Sequence, residues 1–305
     1  MPAHAQELTD VDQNITPLGR IVLGWGTEQV ALDTPQATTV VDQTDIERQQ
    51  ATTVGELLQG VPGVTTIGSE RPAGQAFNIR GFGEVPAGDE GRVVIQQNGA
   101  TKFYEQYRLG AFFADPAAFC NIEVLRGPAS ATLYGGGAIG GVIRFETCQA
   151  SDILEDGDDS QLRLTFGLES NAPGGQVRAL YAARPSNDVE FLISGGYRTA
   201  EDYEDGDGDT VEGSAFDSTN LLASGTYYID DTQRLTFTFE AWNSDLDDTA
   251  LDQTNGLFDT FGTTDRRTTD ITVTAGYDAD LSFGDLELTA SYSDTQVEQS
   301  EADAG

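Results

Sequence analysis

Residues 121–147 read NIEVLRGPASATLYGGGAIGGVIRFET, two β-prone runs on either side of a glycine-rich centre. Gly135, Gly137 and Gly140 match the Gly-x-Gly-x-x-Gly pattern of dinucleotide-binding loops. Such a loop must open a helix, whose free backbone N–H groups bind the pyrophosphate. Here the glycines run directly into VIRFET, which is β-branched and aromatic. The stretch therefore predicts two paired strands joined by a tight glycine turn, and not a nucleotide site.

The chain's two cysteines, Cys120 and Cys148, stand at the outer ends of these two runs. Antiparallel pairing of the runs brings the two sulfur atoms together, so we expect a disulfide in an oxidising compartment. Two thiols without a nearby histidine do not make a zinc site, and no metal site is predicted.

Upstream of this stretch the pattern is that of a mixed α+β domain. Residues 37–50 (ATTVVDQTDIERQQ) predict a strand and then a helix capped by Thr44 or Asp45. Residues 52–64 (TTVGELLQGVPGV) predict a second short helix that ends at Gly60 and Pro62. Short β-prone runs among glycine turns follow.

The chain is strongly acidic, with 51 Asp and Glu against 16 Lys and Arg, and Lys102 is its single lysine. Nucleic acid is excluded as a partner, because phosphate binding needs cationic clusters. The acidity is concentrated after residue 150, where 34 acidic residues face 7 basic ones. It indicates either a surface adapted to salt or acidic loops that face outside a cell.

Beyond residue 158, apolar and polar residues alternate over long runs. The alternation predicts seven antiparallel strands, at 161–170, 175–184, 188–199, 218–229, 233–244, 269–281 and 285–297. A strand of about 11 residues, tilted by about 45°, spans an outer-membrane hydrocarbon band. Only alternate connections are long, at 200–217 and 246–268, so the long loops lie on one side of the sheet and the short turns on the other. This sorting favours a transmembrane barrel over a soluble sandwich. A barrel must close, so we expect these strands to be the front portion of a larger barrel.

The quoted stretch, together with ELLQGVPGV (residues 56–64) and FNIRGFG (residues 77–83), resembles the plug domain of TonB-dependent outer-membrane receptors. The resemblance covers roughly residues 20–155. It implies an α+β plug domain followed by an incomplete antiparallel transmembrane β-barrel, with about seven strands of an expected twenty-two. It also implies active uptake of a scarce ligand, commonly an iron chelate, haem or cobalamin, across the outer membrane of a Gram-negative bacterium.

The domain boundaries that follow are a signal remnant and flexible lead at 1–18, a TonB-box segment at 19–31, a plug at 32–155 and a partial barrel at 156–305. The signal remnant is inferred from AHA before Gln6, which resembles the end of a cleaved export signal. Within GRIVLGWG, Ile21, Val22 and Leu23 match the place where the family's TonB box pairs with TonB. The alternative is that this segment forms the first strand of the plug.

Arg80 and Arg126 match plug arginines that pair with barrel carboxylates in this family. The alternative is local pairing within the plug, for example of Arg126 with Glu123. As contacts for the ligand we name Tyr104, Tyr107 and Arg108, where the tyrosines offer phenolate or stacking contacts. The alternative for the two tyrosines is that they pack the plug apex against the barrel wall.

The ligand itself is expected to be an iron–siderophore or haem. FETCQASDIL (residues 145–154) resembles the plug-to-barrel junction of the haem and haemoglobin receptor branch. Against that branch, the only histidine is His4, so the sequence offers no imidazole for haem iron outside the suspected leader. An acidic loop with Asp205, Asp207 and Asp209 resembles a calcium loop but lacks its glycine and later glutamate.

The sequence thus predicts a receptor for active uptake and not an enzyme, with no cofactor. Its expected partners are TonB, outer-membrane lipid and the iron chelate or haem. The alternatives are a secreted β-rich binding or adhesion module and a nucleotide-dependent oxidoreductase. Neither gives a role to the motifs that resemble the plug.

Overall fold

The computed structural model of the chain places two units, a small α+β domain and a long antiparallel sheet. The structure describes residues 20–21, 29–30, 37–68, 71–83, 92–102, 110–128, 137–155, 157–251 and 262–303. Because the first unit packs against one face of the second, we call them the plug and the wall. The fold class predicted from the sequence, a plug followed by part of a barrel, is confirmed.

The plug contains ten strands and three short helices among the described residues. The strands are β1 (Arg20–Ile21), β2 (Gln29–Val30), β3 (Ala37–Asp42), β4 (Val64–Gly68), β5 (Gln75–Ile79), β6 (Phe82–Gly83), β7 (Val93–Gln97), β8 (Ala100–Lys102), β9 (Phe119–Arg126) and β10 (Gly141–Thr147). The helices are α1 (Gln43–Gln49), α2 (Val54–Leu57) and α3 (Ala150–Ile153), and a 3-10 turn covers Pro116–Ala118.

The central plug sheet has the strand order β3-β9-β10-β7-β8, and a smaller sheet has the order β4-β5-β6. β9 and β10 pair antiparallel, from Gly141 opposite Arg126 to Thr147 opposite Phe119, as the sequence predicted. β1 pairs only with β2, in a separate two-stranded ladder. β3 lies at the edge of the central sheet, so it can be removed without breaking any pairing except that with β9.

The first helix starts earlier than the sequence suggested. Asp42 is its N-cap, and a carboxylate oxygen of Asp42 accepts the N–H of Asp45 at 2.9 Å. The predicted caps, Thr44 and Asp45, therefore lie within α1. The first turn needs an acceptor for its free N–H groups, and an aspartate at the end of β3 supplies it before either predicted residue can. The second helix lies where the sequence predicted it and carries Thr53 as its cap, but it ends at Leu57, before the predicted stop at Gly60.

The core of the plug is aromatic and aliphatic. Phe112 and Phe145 stack with ring centroids 4.4 Å apart, and Phe119 lies against Phe145 at 5.1 Å. Ile122 and Ile143 from the paired strands are fully buried beside them. This core joins both sheets and helices α1 and α2, so the plug has an interior of its own.

Glycines shape the corner before β10. Gly141 has φ +149°, and a Cβ at this position would lie 2.1 Å from the carbonyl oxygen of Leu125. A Cβ on Gly140 would lie 2.7 Å from the Cβ of Phe82. The glycines thus allow close backbone approach, and the chain that follows is strand β10 and not a helix, as the sequence predicted.

The wall is one antiparallel sheet of seven strands with order β11-β12-β13-β16-β17-β18-β19. Its strands are β11 (Ser160–Glu169), β12 (Gly174–Ser186), β13 (Val189–Ala200), β16 (Phe216–Asp230), β17 (Gln233–Ala250), β18 (Thr263–Leu281) and β19 (Gly284–Asp303). β14 (Tyr203–Glu204) and β15 (Thr210–Val211) form a small hairpin between β13 and β16. Seven wall strands are what the alternation predicted.

The two faces of the wall differ in chemistry. Leu162, Leu164 and Phe166 of β11 are 64%, 56% and 74% exposed on the outer face. The inner face of the central strands instead carries buried polar side chains that face the plug, such as Ser224 and Thr272. An apolar outer face and a polar lumen are the pattern of strands set in lipid.

The last wall strands are longer than predicted. The sequence placed a loop at 246–268, whereas β17 extends to Ala250 and β18 begins at Thr263. Arg266 Nη2 donates to the carbonyl oxygens of Ala250 and Leu251 at 2.8 and 2.9 Å, which holds this extension together. Hydrophobic alternation ends where the outer face becomes polar, so it cannot show where backbone pairing stops.

Within the described residues, every helix is too short or too polar to cross a membrane.

Candidate functional site: the plug–wall interface

The interface between plug and wall contains a buried cation. Lys102, the last residue of β8, inserts its ammonium group among side chains of β18 and β19. Lys102 Nζ donates to Asp270 Oδ1 and Oδ2 at 2.7 and 3.0 Å, to Thr272 Oγ1 at 2.6 Å and to Ser293 Oγ at 2.7 Å. The side chains of Lys102 and Asp270 are each 4% exposed. We call this cluster the lysine latch.

A second polar contact lies beside the latch on the same plug hairpin. Gln97 at the end of β7 donates through Nε2 to Glu240 Oε2 of β17, and both residues are buried. Glu240 pairs in register with Thr272, a residue of the lysine latch. The β7–β8 hairpin is therefore bound to three neighbouring wall strands by charged or amide groups.

Other parts of the plug touch the wall through backbone groups. Arg198 Nη1 of β13 donates to the carbonyl oxygen of Ala51 at 3.2 Å. Ser244 of β17 donates to the carbonyl oxygen of Pro72. These two bonds hold the connections around the smaller plug sheet near one end of the wall strands.

Arg71 sits beside Pro72 and contacts three wall residues. Its guanidinium lies 4.8 Å from the ring centre of Tyr203 and 5.3 Å from that of Phe216. Nη1 of Arg71 is 3.5 Å from Glu169 Oε1. A cation placed over aromatic faces and next to a carboxylate gains attraction from both, so Arg71 anchors this end of the plug.

A cavity of about 660 Å³ opens next to Arg71. Its plug side is formed by α1, α2 and the smaller sheet, and its wall side includes Glu169 and Tyr203. The lining consists mainly of amide and hydroxyl side chains, among them Gln49, Thr52 and Gln59. We call it the polar cavity.

The disulfide lies at a different part of the interface. Cys120 and Cys148 are bonded, with Cα atoms 4.8 Å apart, which confirms the disulfide expected from the sequence. Both half-cystines pack with α3 against Leu180 and Leu192 of the inner wall. Ser224 Oγ of β16 donates to the carbonyl oxygen of Cys148 at 2.9 Å, so this corner of the plug is attached to the wall by apolar and polar contacts together.

Arg126 turns towards the plug in this structure. Its guanidinium donates to the carbonyl oxygens of Ala37, Thr38 and Pro62 and to Thr39 Oγ1, at distances between 2.8 and 3.2 Å. Burial, together with the nearby charge of Arg80, lowers the pKa of Arg126. Arg126 therefore clamps edge strand β3 to β9, and its pairing with a barrel carboxylate stays a prediction.

Arg80 lies close to Arg126, so the structure brings the two predicted arginines to one end of the plug. Its backbone has φ +53°, and its N–H donates to the carbonyl oxygen of Gly63 at 2.8 Å. A Cβ on Gly127, which follows Arg126, would lie 4.0 Å from Nη1 of Arg80. The predicted barrel contact of Arg80 also stays a prediction.

Several predicted site residues lie outside the described part of the chain. They are Val22, Leu23, Tyr104, Tyr107 and Arg108. For Ile21 the backbone is described, paired with Gln29 of β2 and not with the plug sheets. The roles assigned to these residues stay predictions.

The acidic loop forms the tip of the β14–β15 hairpin. The N–H groups of Asp209 and Asp207 donate to Asp205 Oδ1 at 3.0 and 2.9 Å and lower the pKa of the Asp205 carboxyl group. The loop that resembles a calcium site is therefore a turn stabilised by hydrogen bonds from its own backbone. The described residues contain no cluster of three or more metal-ligating side chains.

The sequence did not point to Lys102, Gln97, Asp270 or Glu240 as interface residues. The sequence does contain a signal for these contacts. Glu240 and Asp270 stand at inward positions of strands in which apolar and polar residues alternate, and a carboxylate at such a position needs a partner. The single lysine of the chain was the obvious candidate. The pairing joins residues 168 positions apart, which no local pattern encodes.

The comparisons with known proteins agree with this architecture. Residues 30–142 match the family model "TonB-dependent Receptor Plug Domain". A hemin receptor of Yersinia enterocolitica is 32% identical over 257 residues, covering 81% of this chain and 35% of the relative. A TonB-dependent heme receptor A of Haemophilus ducreyi is 30% identical, covering 65% of this chain and 26% of that protein. The chain thus spans about a third of the length of these curated relatives.

Solved structures share the fold. The Serratia marcescens hemophore receptor HasR, solved with its hemophore HasA and heme, has a TM-score of 0.72 at 19% identity, covering 88% of this chain and 39% of that one. The FrpB iron transporter of Neisseria meningitidis has a TM-score of 0.72 at 24% identity, covering 86% and 41%.

A plug packed against the polar face of a sheet whose other face is apolar is the architecture of a plugged outer-membrane β-barrel. Residues 30–142 belong to the plug-domain family of TonB-dependent receptors, and the chain as a whole is similar to hemin receptors. The family and the relatives are named as receptors and transporters.

Proposed function

We propose that this chain is the plug and part of the barrel of an outer-membrane receptor that imports haem. Similarity to hemin and heme receptors supports this choice, because it runs through both the plug and the wall. The observation that carries the proposal is the polar attachment of the plug. Lys102 with Asp270 and Gln97 with Glu240 hold the plug by bonds that other polar partners can replace when it moves.

The proposed mechanism has three steps. Haem binds at the outer face, TonB pairs with the segment at 19–31, and tension on this segment rearranges the plug so that haem passes. The β-prone sequence GRIVLGWG suits this role, since an extended segment can add as a strand to a partner's sheet and transmit force through backbone hydrogen bonds. Edge strand β3 follows this segment and would be the first strand of the central plug sheet to bear the tension.

Growth on haem tests the proposal. The complete gene is expressed in a Gram-negative strain that cannot make haem and lacks a haem receptor. We expect growth on micromolar haem only when TonB is present, and no growth when ferric siderophores replace haem in a strain that needs iron. Growth on a siderophore but not on haem would assign the other ligand class, and growth independent of TonB would reject the receptor function.

The TonB-box assignment gives a sharper prediction. Val22→Pro removes a backbone donor and disrupts strand pairing, so haem uptake should fall at least tenfold while haem binding to whole cells stays unchanged. Val22→Ala, which keeps the donor, is the matched control and should retain uptake. Uptake by the proline variant equal to that of the alanine variant would place the TonB contact elsewhere.

The ligand contacts are proposed at Tyr104, Tyr107 and Arg108. This segment follows Lys102 directly in sequence, and the lysine latch holds Lys102 against the wall. Phenolate oxygens can ligate haem iron, and tyrosine rings can stack on a porphyrin. Haem binding by Tyr104→Phe and Tyr107→Phe receptors, measured through the absorption band of bound haem, separates ligation from stacking.

A further inference from the structure

The disulfide lies where it can transmit tension from one strand of the plug to another. Cys120 is the second residue of β9, and Cys148 follows the last residue of β10, so the bridge joins the open ends of one antiparallel strand pair. The chain between them, residues 121–147, forms a closed loop. Tension that reaches Cys120 from the N-terminal side passes through the bridge to Cys148 and then to α3 and the wall.

We infer that the disulfide divides the plug into a segment that leaves under tension, residues 37–119, and a segment that stays, residues 120–148, so that passage opens at the polar cavity. This inference rests on the proposed function, because it needs a pull from the N-terminal side.

The staying segment is attached to the wall independently of the rest of the plug. Cys120, Cys148 and Ile153 pack against Leu180 and Leu192 of β12 and β13. Ser224 binds the carbonyl oxygen of Cys148. Among the described residues of the leaving segment, only Ala118 belongs to this cluster, and its carbonyl oxygen accepts the N–H of Cys148 at 2.9 Å. Removal of the leaving segment therefore breaks this one bond and keeps the contacts with Leu180, Leu192 and Ser224.

The first element of the leaving segment, strand β3, is weakly attached to the rest of the plug. β3 is an edge strand of six residues, held to β9 by its ladder and by the Arg126 clamp. Once β3 separates, the tension moves to α1 and α2, which are helices of seven and four residues. Helices this short have little stability of their own.

The polar cavity lies along the same elements. Its plug-side lining residues fall between Gln49 and Gln75, all within the leaving segment, and its wall side keeps Glu169 and Tyr203. Withdrawal of α1 and α2 therefore widens this cavity before tension reaches the lysine latch on β8. The residues that stay on the wall side after withdrawal, Glu169 and Tyr203, keep the opening polar.

Single-molecule pulling tests the division of the plug. The receptor is held in a lipid bilayer by its barrel, and force is applied to a handle at the N-terminal segment. The oxidised receptor should extend by roughly 290 Å as residues 37–120 unravel, at about 3.5 Å per residue, and then stop. With the disulfide reduced, the 28-residue separation of the two cysteines adds about 90 Å.

A variant without the two cysteines and reduction of the folded wild-type receptor serve as controls. A Cys120→Ser/Cys148→Ser receptor should give the longer extension in either redox condition. Should that variant fail to fold, brief reduction of folded wild-type receptor measures the same difference. Equal extension before and after reduction would overturn the inference, as would an oxidised receptor that releases the entire plug.

The pulling experiment needs neither ligand nor TonB. A receptor with the 90 Å difference but without growth on haem would reject the proposed function and leave the mechanical division intact. A receptor that imports haem but shows no difference would reject the division alone.

Discussion

Lys102 shows how much one residue contributes to the attachment of the plug. It is the single lysine in a chain with a formal net charge of −35, and its ammonium group is buried against the wall. Removing one partner of a buried ion pair leaves the other charge uncompensated, which costs much more than an exposed pair contributes. The latch is therefore the residue contact on which docking of the β7–β8 hairpin depends most.

Lys102→Met should lower the free energy of plug docking by about 3–5 kcal/mol, because Asp270 stays buried without its cation. The measurement is the urea midpoint of Trp242 fluorescence in a Trp25→Phe background. Trp242 is buried and pairs in register with Asp270, so it reports on this region.

Two further variants control this prediction. Arg267→Met breaks an exposed pair with Asp245 and should cost no more than about 1 kcal/mol. The double variant Lys102→Met/Asp270→Asn removes both charges and should regain part of the loss. A Lys102→Met midpoint equal to that of Arg267→Met would mean that the latch does not hold the plug.

At the scale of elements, the β9–β10 pair organises the plug. It places the disulfide, supplies the central strands of the larger sheet and provides Phe145 to the core. Its register depends on the corner at Gly141, where the carbonyl oxygen of Leu125 occupies the space of a side chain. Pairing of these strands holds the Cα atoms of Cys120 and Cys148 4.8 Å apart, within the range that a disulfide requires.

Gly141→Ala should therefore reduce disulfide formation. The added methyl group would lie 2.1 Å from the carbonyl oxygen of Leu125, so the strand pair must shift or separate. Alkylation of free thiols followed by mass spectrometry should show several-fold more reduced protein than in wild type. Gly60→Ala, where an added Cβ meets nothing within 4 Å, should match wild type. Complete oxidation of the Gly141→Ala protein would show that the corner tolerates a side chain.

At the scale of the whole molecule, two environments act on the central wall strands, one on each face. The outer face presents Phe166, Phe237 and Leu288 to the surroundings, whereas the inner face buries polar groups against the plug. An outer face of this kind is stable in lipid and prone to associate in water. The wall thus needs the membrane outside and the plug inside.

Phe237→Arg places a charge on the outer face of β17, where Phe237 is 51% exposed. A charge that faces lipid costs about 2–4 kcal/mol at the bilayer midplane and about 0–1 kcal/mol near its surfaces. We expect a reduced fraction of folded receptor in outer membranes, measured by heat-modifiable gel mobility. Phe237→Leu is the matched control and should assemble normally. Equal assembly of the two variants would place this residue outside the lipid band.

The sequence by itself determined the features that arise from local patterns. Alternation with a period of two gave the seven wall strands, and the glycine turn between two β-prone runs gave the β9–β10 pair with its disulfide. Helix boundaries were less accurate, since Asp42 caps α1 ahead of Thr44 and Asp45. Strand ends beyond residue 245 were underestimated, because backbone pairing there continues without hydrophobic alternation.

Only the tertiary structure decided which side chains meet across the interface. Lys102 pairs with Asp270, Gln97 donates to Glu240, and Arg126 binds the backbone of β3. The physical reason is that periodicity fixes which face of a strand a residue occupies. Its partner depends on how the plug is rotated and seated within the wall, and that is set by the packing of the whole molecule.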